Sequence, residues 1–230
     1  MPIRKIRKKR LPDVVAEQMT AAIVASEFSP GQRLPPEREL AERFGVSRNV
    51  VREAVNELRS RGLLETRQGS GSVVTDNVHK PVSDLLGTVL SGQANGEAKL
   101  LELRAALEID VARLAAERAT DEEIAELQRI LDAYTAAGHN VDVCAALDIE
   151  FHRALVQASH NDLFGLVLAS VDELLVKSRT AALKRSGVRQ AADSHQRIFE
   201  AVKQRKTTEA MTAMDEHLTI TREHLVKEKR

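Results

Sequence analysis

The 230-residue chain has no tryptophan, one tyrosine and five phenylalanines. So few aromatics leave little surface on which unpaired bases could stack, so any nucleic-acid partner is expected to be duplex rather than single-stranded. There is one cysteine, Cys144, which excludes an intramolecular disulfide framework and fits a reducing cytoplasm. Cys144 lies among Val141, Ala145 and Asp148, as a small packed residue does, and no Ser-His-Asp or Cys-His arrangement can be assembled around it. No apolar run approaches the roughly 20 residues that a membrane-spanning helix needs. The basic start MPIRKIRKKR is not followed by the apolar segment of a secretory signal.

Charge is present in quantity, 34 Lys and Arg against 34 Asp and Glu, and the zero balance conceals a division. Residues 1–75 hold 14 basic and 9 acidic side chains, a surplus of five positive charges; residues 76–230 hold 20 and 25. A basic first part and an acidic second part predict a polyanion partner for the first alone. Six of the seven residues Arg4–Arg10 are basic, either a solubilising tail or an arm along a nucleic-acid backbone.

Apolar spacing predicts a helix over 12–28, carried by Val14, Val15, Met19, Ile23 and Val24, before the turn Ser29-Pro30-Gly31. Pro35-Pro36 opens a short helix, ERELAERF, closed by Gly45. Ser47 is placed to cap a third helix, RNVVREAVNELRSR, ended by Gly62. The β-prone runs Leu63–Thr66 and Ser72–Thr75 flank RQGSG, a hairpin signal. That loop lacks the Lys-Ser/Thr ending of a phosphate-cradling loop and does not lead into a long helix. This is the outline of a winged helix-turn-helix. The third helix would present Ser47, Arg48 and Asn49, with Arg52 one turn on, to a major groove, and Arg38 would open the neighbouring helix near the same groove.

Gly31–Val74, GQRLPPERELAERFGVSRNVVREAVNELRSRGLLETRQGSGSVV, closely resembles the DNA-binding domain of the GntR superfamily of bacterial transcription regulators. The resemblance implies that Arg38, Arg48 and Arg52 are the main DNA-contacting arginines and that Ser47 and Asn49 assist. It also implies that Gln68 and Gly69, at the wing tip, approach the minor groove.

After a polar linker at 76–82, only helices are predicted: 82–91, 97–118, 121–137, 141–159, 162–185, 188–205 and 207–228. Thr120-Asp121-Glu122-Glu123 is a capping-box signature. The architecture expected is mainly α: a winged helix-turn-helix domain at 1–75, the linker, and an all-α bundle at 83–230. Three of seven histidines lie on apolar helix faces: His152 with Leu155 and Val156, His195 with Ile198 and Phe199, His217 with Ala213 and Met214. Asp148 shares the face of His152, in the stretch LDIEFHRAL. One inward histidine is ordinarily a hydrogen-bonded core residue. Three with a carboxylate would all be satisfied by one divalent cation, since a buried polar group without a partner costs about 1–3 kcal/mol. Such N/O donors suit zinc, nickel and similar metals without choosing among them; zinc is the first expectation, with nickel or manganese as alternatives. Arg104 lies at the apolar stripe of its helix, either paired with Glu108 or free to clamp a carboxylate in two-point fashion.

Residues 97–226 are similar to the FCD effector domain of the superfamily's FadR branch, with LLELRAALEIDVARLAAERAT, DIEFHRAL, SHQRIFEAV and AMDEHL in its order and spacing. In metal-containing members the matching Asp and three His hold one divalent cation; carried over, these are Asp148, His152, His195 and His217. The resemblance also turns Arg104 toward the effector cavity. The complete donor set departs from the acyl-CoA-responsive type and points instead to a small carboxylate, a hydroxy acid or sugar acid. The expectation is a homodimeric, cytoplasmic DNA-binding regulator that reads an inverted repeat and represses until the acid binds. Of its rivals, a metal-dependent hydrolase gives the winged helix no use, and a nucleoid-type DNA binder gives the inward Asp and His set none.

Overall fold

The computed structural model describes residues 9–25, 27–67, 71–75, 77–93 and 95–226, apart from the side chains of 176–182, 185–186 and 224–226. The expected wing-tip residues Gln68 and Gly69, and the tail before Lys9, lie outside the described residues. The chain divides into two compact units, Met1–Pro81 and Val82–Arg230.

In the first unit α1 (Leu11–Val24), α2 (Glu37–Phe44) and α3 (Arg48–Ser60) precede a hairpin of β1 (Leu64–Arg67) and β2 (Gly71–Val74). Gly45 ends α2 in the left-handed conformation at φ +64°, which a side chain would strain. Two residues later the Ser47 hydroxyl accepts from the Val50 amide and starts α3. The inward faces of the helices meet in one core containing Val15, Met19, Leu40, Val51, Val55 and Leu58, and Leu64 and Val74 close it from the hairpin. Each such side chain contributes about 1.5–3 kcal/mol by leaving water, more than any exposed ion pair can.

The strand limits differ by one residue from the sequence expectation, β1 lying one later and β2 one earlier, and Leu64 pairs with Val74 and Arg67 with Gly71. The register follows burial, because it turns Leu64 and Val74 inward together. The outer edge of β2 is covered as well. Leu34 donates to the Ser72 carbonyl and Val74 to that of Gln32, so the segment after the first turn screens an otherwise open edge. Helix α1 ends at Val24, four residues before its apolar spacing does. Phe28 still packs on the core, but from a turn in which the Gln32 side chain accepts from the Ser29 amide.

Among the described residues the second unit is a bundle of helices: α4 (Lys80–Leu90), α5 (Gly96–Arg118), α6 (Asp121–Ala137), α7 (Val141–Ala158), α8 (Asp162–Ser186), α9 (Val188–Lys203) and α10 (Thr207–Val226). Helix α4 begins inside the segment read as linker, since Pro81 at its second position has no amide to satisfy. The Thr120–Glu123 capping box is formed in both directions, at 3.2 and 2.8 Å. The Glu123 carboxylate also meets His160 at 3.0 Å, tying the start of α6 to the end of α7. The central core joins α5, α6, α7, α9 and α10 through Val111, Leu127, Ile130, Phe151, Leu155, Ile198, Phe199 and Met214. Helices α5, α7, α9 and α10 pack against one another around the polar cluster described below. No helix of the described chain is long and apolar enough to cross a membrane.

Gly62 follows α3 at φ +73°, and a Cβ there would lie 2.4 Å from Cγ of Pro81. Gly62→Ala is therefore expected to lower the stability of the first unit by about 1–3 kcal/mol, combining backbone strain with a steric clash. Thermal unfolding of the full chain reads this out; an unchanged transition would mean the turn is not held by this contact.

Candidate functional site

Helix α3 has one apolar face, which fills the core, and so its polar face must meet solvent. Arg38, Ser47, Arg48, Asn49 and Arg52 are all exposed. The Arg52 guanidinium donates to Asn49 Oδ1 at 2.8 Å, and Arg38 pairs with Glu42 one turn along α2 at 2.8 Å. Surface pairs of this kind are worth about 0–1 kcal/mol, so a phosphate or a guanine edge can displace them readily. Arg59 does something else: it donates to the Ser72 hydroxyl at 2.7 Å and anchors the wing to α3. Arg10, at the foot of the basic tail, pairs with Glu53 on α3 at 2.6 Å.

The second site lies inside the helical unit. Asp148 and His152, one turn apart on α7, meet His195 from α9 and His217 from α10. All four are buried, and one donor atom from each lies within 4.8 Å of the others. His152 Nε2 is 3.2 Å from His217 Nε2, and His195 Nε2 is 3.3 Å from Asp148 Oδ1. Phe151 and Tyr134 form the apolar wall, with ring centroids 4.6 and 5.6 Å from that of His195.

The donor set fits a divalent cation. Bond lengths of about 2.0–2.1 Å place two neighbouring ligand atoms on one ion about 3.0–3.4 Å apart, the range that both pairs occupy. A shared proton could satisfy the pair His152–His217. It does nothing for His195, which is 0% exposed and has no hydrogen-bond partner at either ring nitrogen. Arg104 is buried beside the cluster on α5, with Nη2 3.1 Å from His152 Nε2. Its fork is engaged by Glu108, at 2.5 Å from Nε and 3.2 Å from Nη2. A cavity of about 190 Å³, lined by Glu108, His152, Gln157, Leu168 and Asp172 among others, reaches the cluster from the side of Glu108.

The pattern described as "FCD domain" matches residues 99–219, and that of "Bacterial regulatory proteins, gntR family" matches residues 11–74. The chain belongs to the GntR family and carries an FCD domain. This GntR-family chain is 35% identical over 202 residues to the HTH-type transcriptional regulator LutR of Bacillus subtilis (strain 168), covering 84% of this chain and 91% of LutR. It is 33% identical over 231 residues to the Glc operon transcriptional activator of Escherichia coli (strain K12), covering 96% and 91%. Among solved structures it matches Streptococcus agalactiae GntR with a TM-score of 0.78 at 28% identity, over 92% of this chain and 99% of the other. It is a ligand-responsive transcription regulator, and its relatives are named as regulators rather than enzymes, which removes the hydrolase alternative.

Electrostatics in the FCD domain favour neutral imidazoles. Burial pushes the His152 pKa down, with the Glu108 carboxylate opposing and Arg104 adding to the effect. His217 is held well below the ordinary range, by burial first and then by His195 and His152. Tyr134 is pushed up by burial and by Asp148, so its hydroxyl keeps its proton and has no hydrogen-bond partner. Neutral imidazoles present lone pairs, the state a cation requires.

The structure brings Asp148, His152, His195 and His217 together and places Arg104 against them. Sequence reasoning treated Glu108 only as a partner for Arg104. Its Oε2 is also 2.9 Å from His152 Nδ1, a proximity that the packing of α5 on α7 creates and that no spacing reveals. Tyr134 was missed altogether, because an apolar helix face at Leu127, Ile130 and Leu131 explains it without a site. Cys144 is buried among Tyr134, Ala145, Leu183 and Ala191.

A pH dependence follows from the histidines. His152 and His217 have folded pKa values below the ordinary 6.5, so below that pH the unfolded chain binds protons that the folded chain refuses. Stability is therefore full above about pH 6.5 and declines as pH falls toward the folded values. Chelator-treated protein should unfold at progressively lower temperature from pH 7.5 to pH 5; a flat profile would show that these rings are not desolvated.

Proposed function

We propose that the chain is a homodimeric transcription regulator that reads an inverted-repeat operator through α3 and senses a small carboxylate at a divalent cation held by Asp148, His152, His195 and His217. The observation that carries this reading is the convergence of four buried donors, with both His195 nitrogens unpartnered, in a domain whose sibling unit exposes the arginine face of a winged helix. Zinc is the first candidate and nickel next, since both take imidazole donors, and the carboxylate leaves manganese as a third. The domain organisation in this reading is 1–75 for DNA, 76–82 as connector and 83–230 for the ligand, and an operator places the action in the cytoplasm.

Arg48 and Arg52 would face base edges, Asn49 an adenine, and Arg38 with Ser47 the phosphates; Gln68 and Gly69 would approach the minor groove. Two copies related by a two-fold axis match the symmetry of an inverted repeat. In the FCD domain the bound cation supplies a Lewis-acid anchor for a carboxylate. Arg104 is a cationic group that stands beside the cluster, and a hydroxy acid or sugar acid is small enough for the adjoining cavity. The acid regulates only if it binds one arrangement of the DNA-binding units better than the other. In this reading the protein represses its operator and the acid relieves repression.

Two measurements test the two halves. With duplex DNA selected from a randomised pool, Arg48→Ala should weaken binding by about 1–3 kcal/mol, roughly tenfold or more, and relax the sequence preference. Unchanged affinity and preference would remove α3 as the reading helix. Thermal unfolding against two- to six-carbon hydroxy and sugar acids should find one that stabilises the protein, by about 2.7 kcal/mol at a hundred times its dissociation constant. A chelator should abolish that effect. If no acid stabilises the protein and chelation changes nothing, the sensing half fails while the DNA-binding half stands.

A further inference from the structure

We infer that Glu108 is the positioning residue of the buried cluster, holding His152 by Nδ1 so that Nε2 faces the cation, with Arg104 locking Glu108 in place; this rests on the metal reading above. Glu108 and Arg104 are 2% and 1% exposed and stand one turn apart on α5. Glu108 Oε2 lies 2.9 Å from His152 Nδ1, while the opposite ring nitrogen, Nε2, is the one 3.2 Å from His217 Nε2. An imidazole that offers Nε2 to a cation must carry its proton on Nδ1, and a carboxylate beside Nδ1 selects that tautomer and fixes the ring. The contact is 2.9 Å long, within ion-pair distance, but does not meet hydrogen-bond geometry.

Arg104 holds the Glu108 carboxylate through Nε at 2.5 Å and Nη2 at 3.2 Å. The same pairing explains how an arginine can stand 3.1 Å from a cation ligand. Glu108 offsets its positive charge, so that Asp148, Glu108 and Arg104 together leave one negative charge for a divalent ion. Without Glu108 the guanidinium would oppose the ion unscreened.

The alternative is that Glu108 serves only as the counter-ion of Arg104. Zinc affinity of the full-length protein, measured by competition with a chelating dye, separates the two when both single and double variants are made. Glu108→Gln should lose about 10–100-fold in zinc affinity, the usual cost of removing the group that orients a histidine ligand. The double variant Arg104→Met with Glu108→Leu removes the buried pair as a unit, a change that folds tolerate far better than loss of one partner. Helicity by circular dichroism confirms folding in each case. If Glu108 orients His152, the folded double variant retains the loss. If it is only a counter-ion, the double variant returns to within about twofold of wild type, and the proposal is overturned. Wild-type protein that holds no zinc overturns the metal reading itself, and this inference with it.

Discussion

Three imidazoles and a carboxylate removed from water together form the constraint around which the helical unit is organised. An imidazole buried with neither nitrogen satisfied is costly, and His195 is such a group. A carboxylate beside three imidazoles adds charge to that cost. Helices α5, α7, α9 and α10 must therefore bring their polar residues to one point rather than spread them through the core. The surrounding Phe151, Ile198, Phe199 and Met214 have the ordinary task of excluding water. They supply the packing energy that allows the cluster to persist.

Charge is treated in opposite ways in the two units. On the surface of α2 and α3 the guanidiniums are exposed and loosely paired, with Arg38 on Glu42 and Arg52 on Asn49, and exchange partners at little cost. In the bundle, Arg104 is almost wholly buried and tightly held, so losing Glu108 would leave an uncompensated charge in the core. The first arrangement lets a guanidinium exchange partners, and the second holds one in a fixed geometry. The same residue type thus has contrary roles, set by burial alone.

Much of this was legible before any coordinates. Helix limits in the bundle follow from apolar spacing and punctuation, such as Thr120 before α6. The errors share a cause. The end of α1, the start of α4 and the strand limits of the wing were displaced because local pattern cannot see what packs against it: Phe28 continues the spacing of α1 yet reaches the core from a turn. The covered edge of β2 was invisible for the same reason, since Gln32–Leu34 reads as loop and pairs as backbone.

For the site, the sequence by itself determined which side chains were candidates, because a histidine on an apolar face is an anomaly wherever the helix goes. His152, His195 and His217 stood out on that ground, and Asp148 by its spacing from His152. Only the tertiary structure decided that residues 43 positions apart, such as His152 and His195, share one locus, and that Glu108 reaches the far nitrogen of His152. The physical reason is that periodicity reports the direction in which a side chain leaves its own helix. The partner it meets depends on how separate helices cross, and that is settled by the sum of their packing.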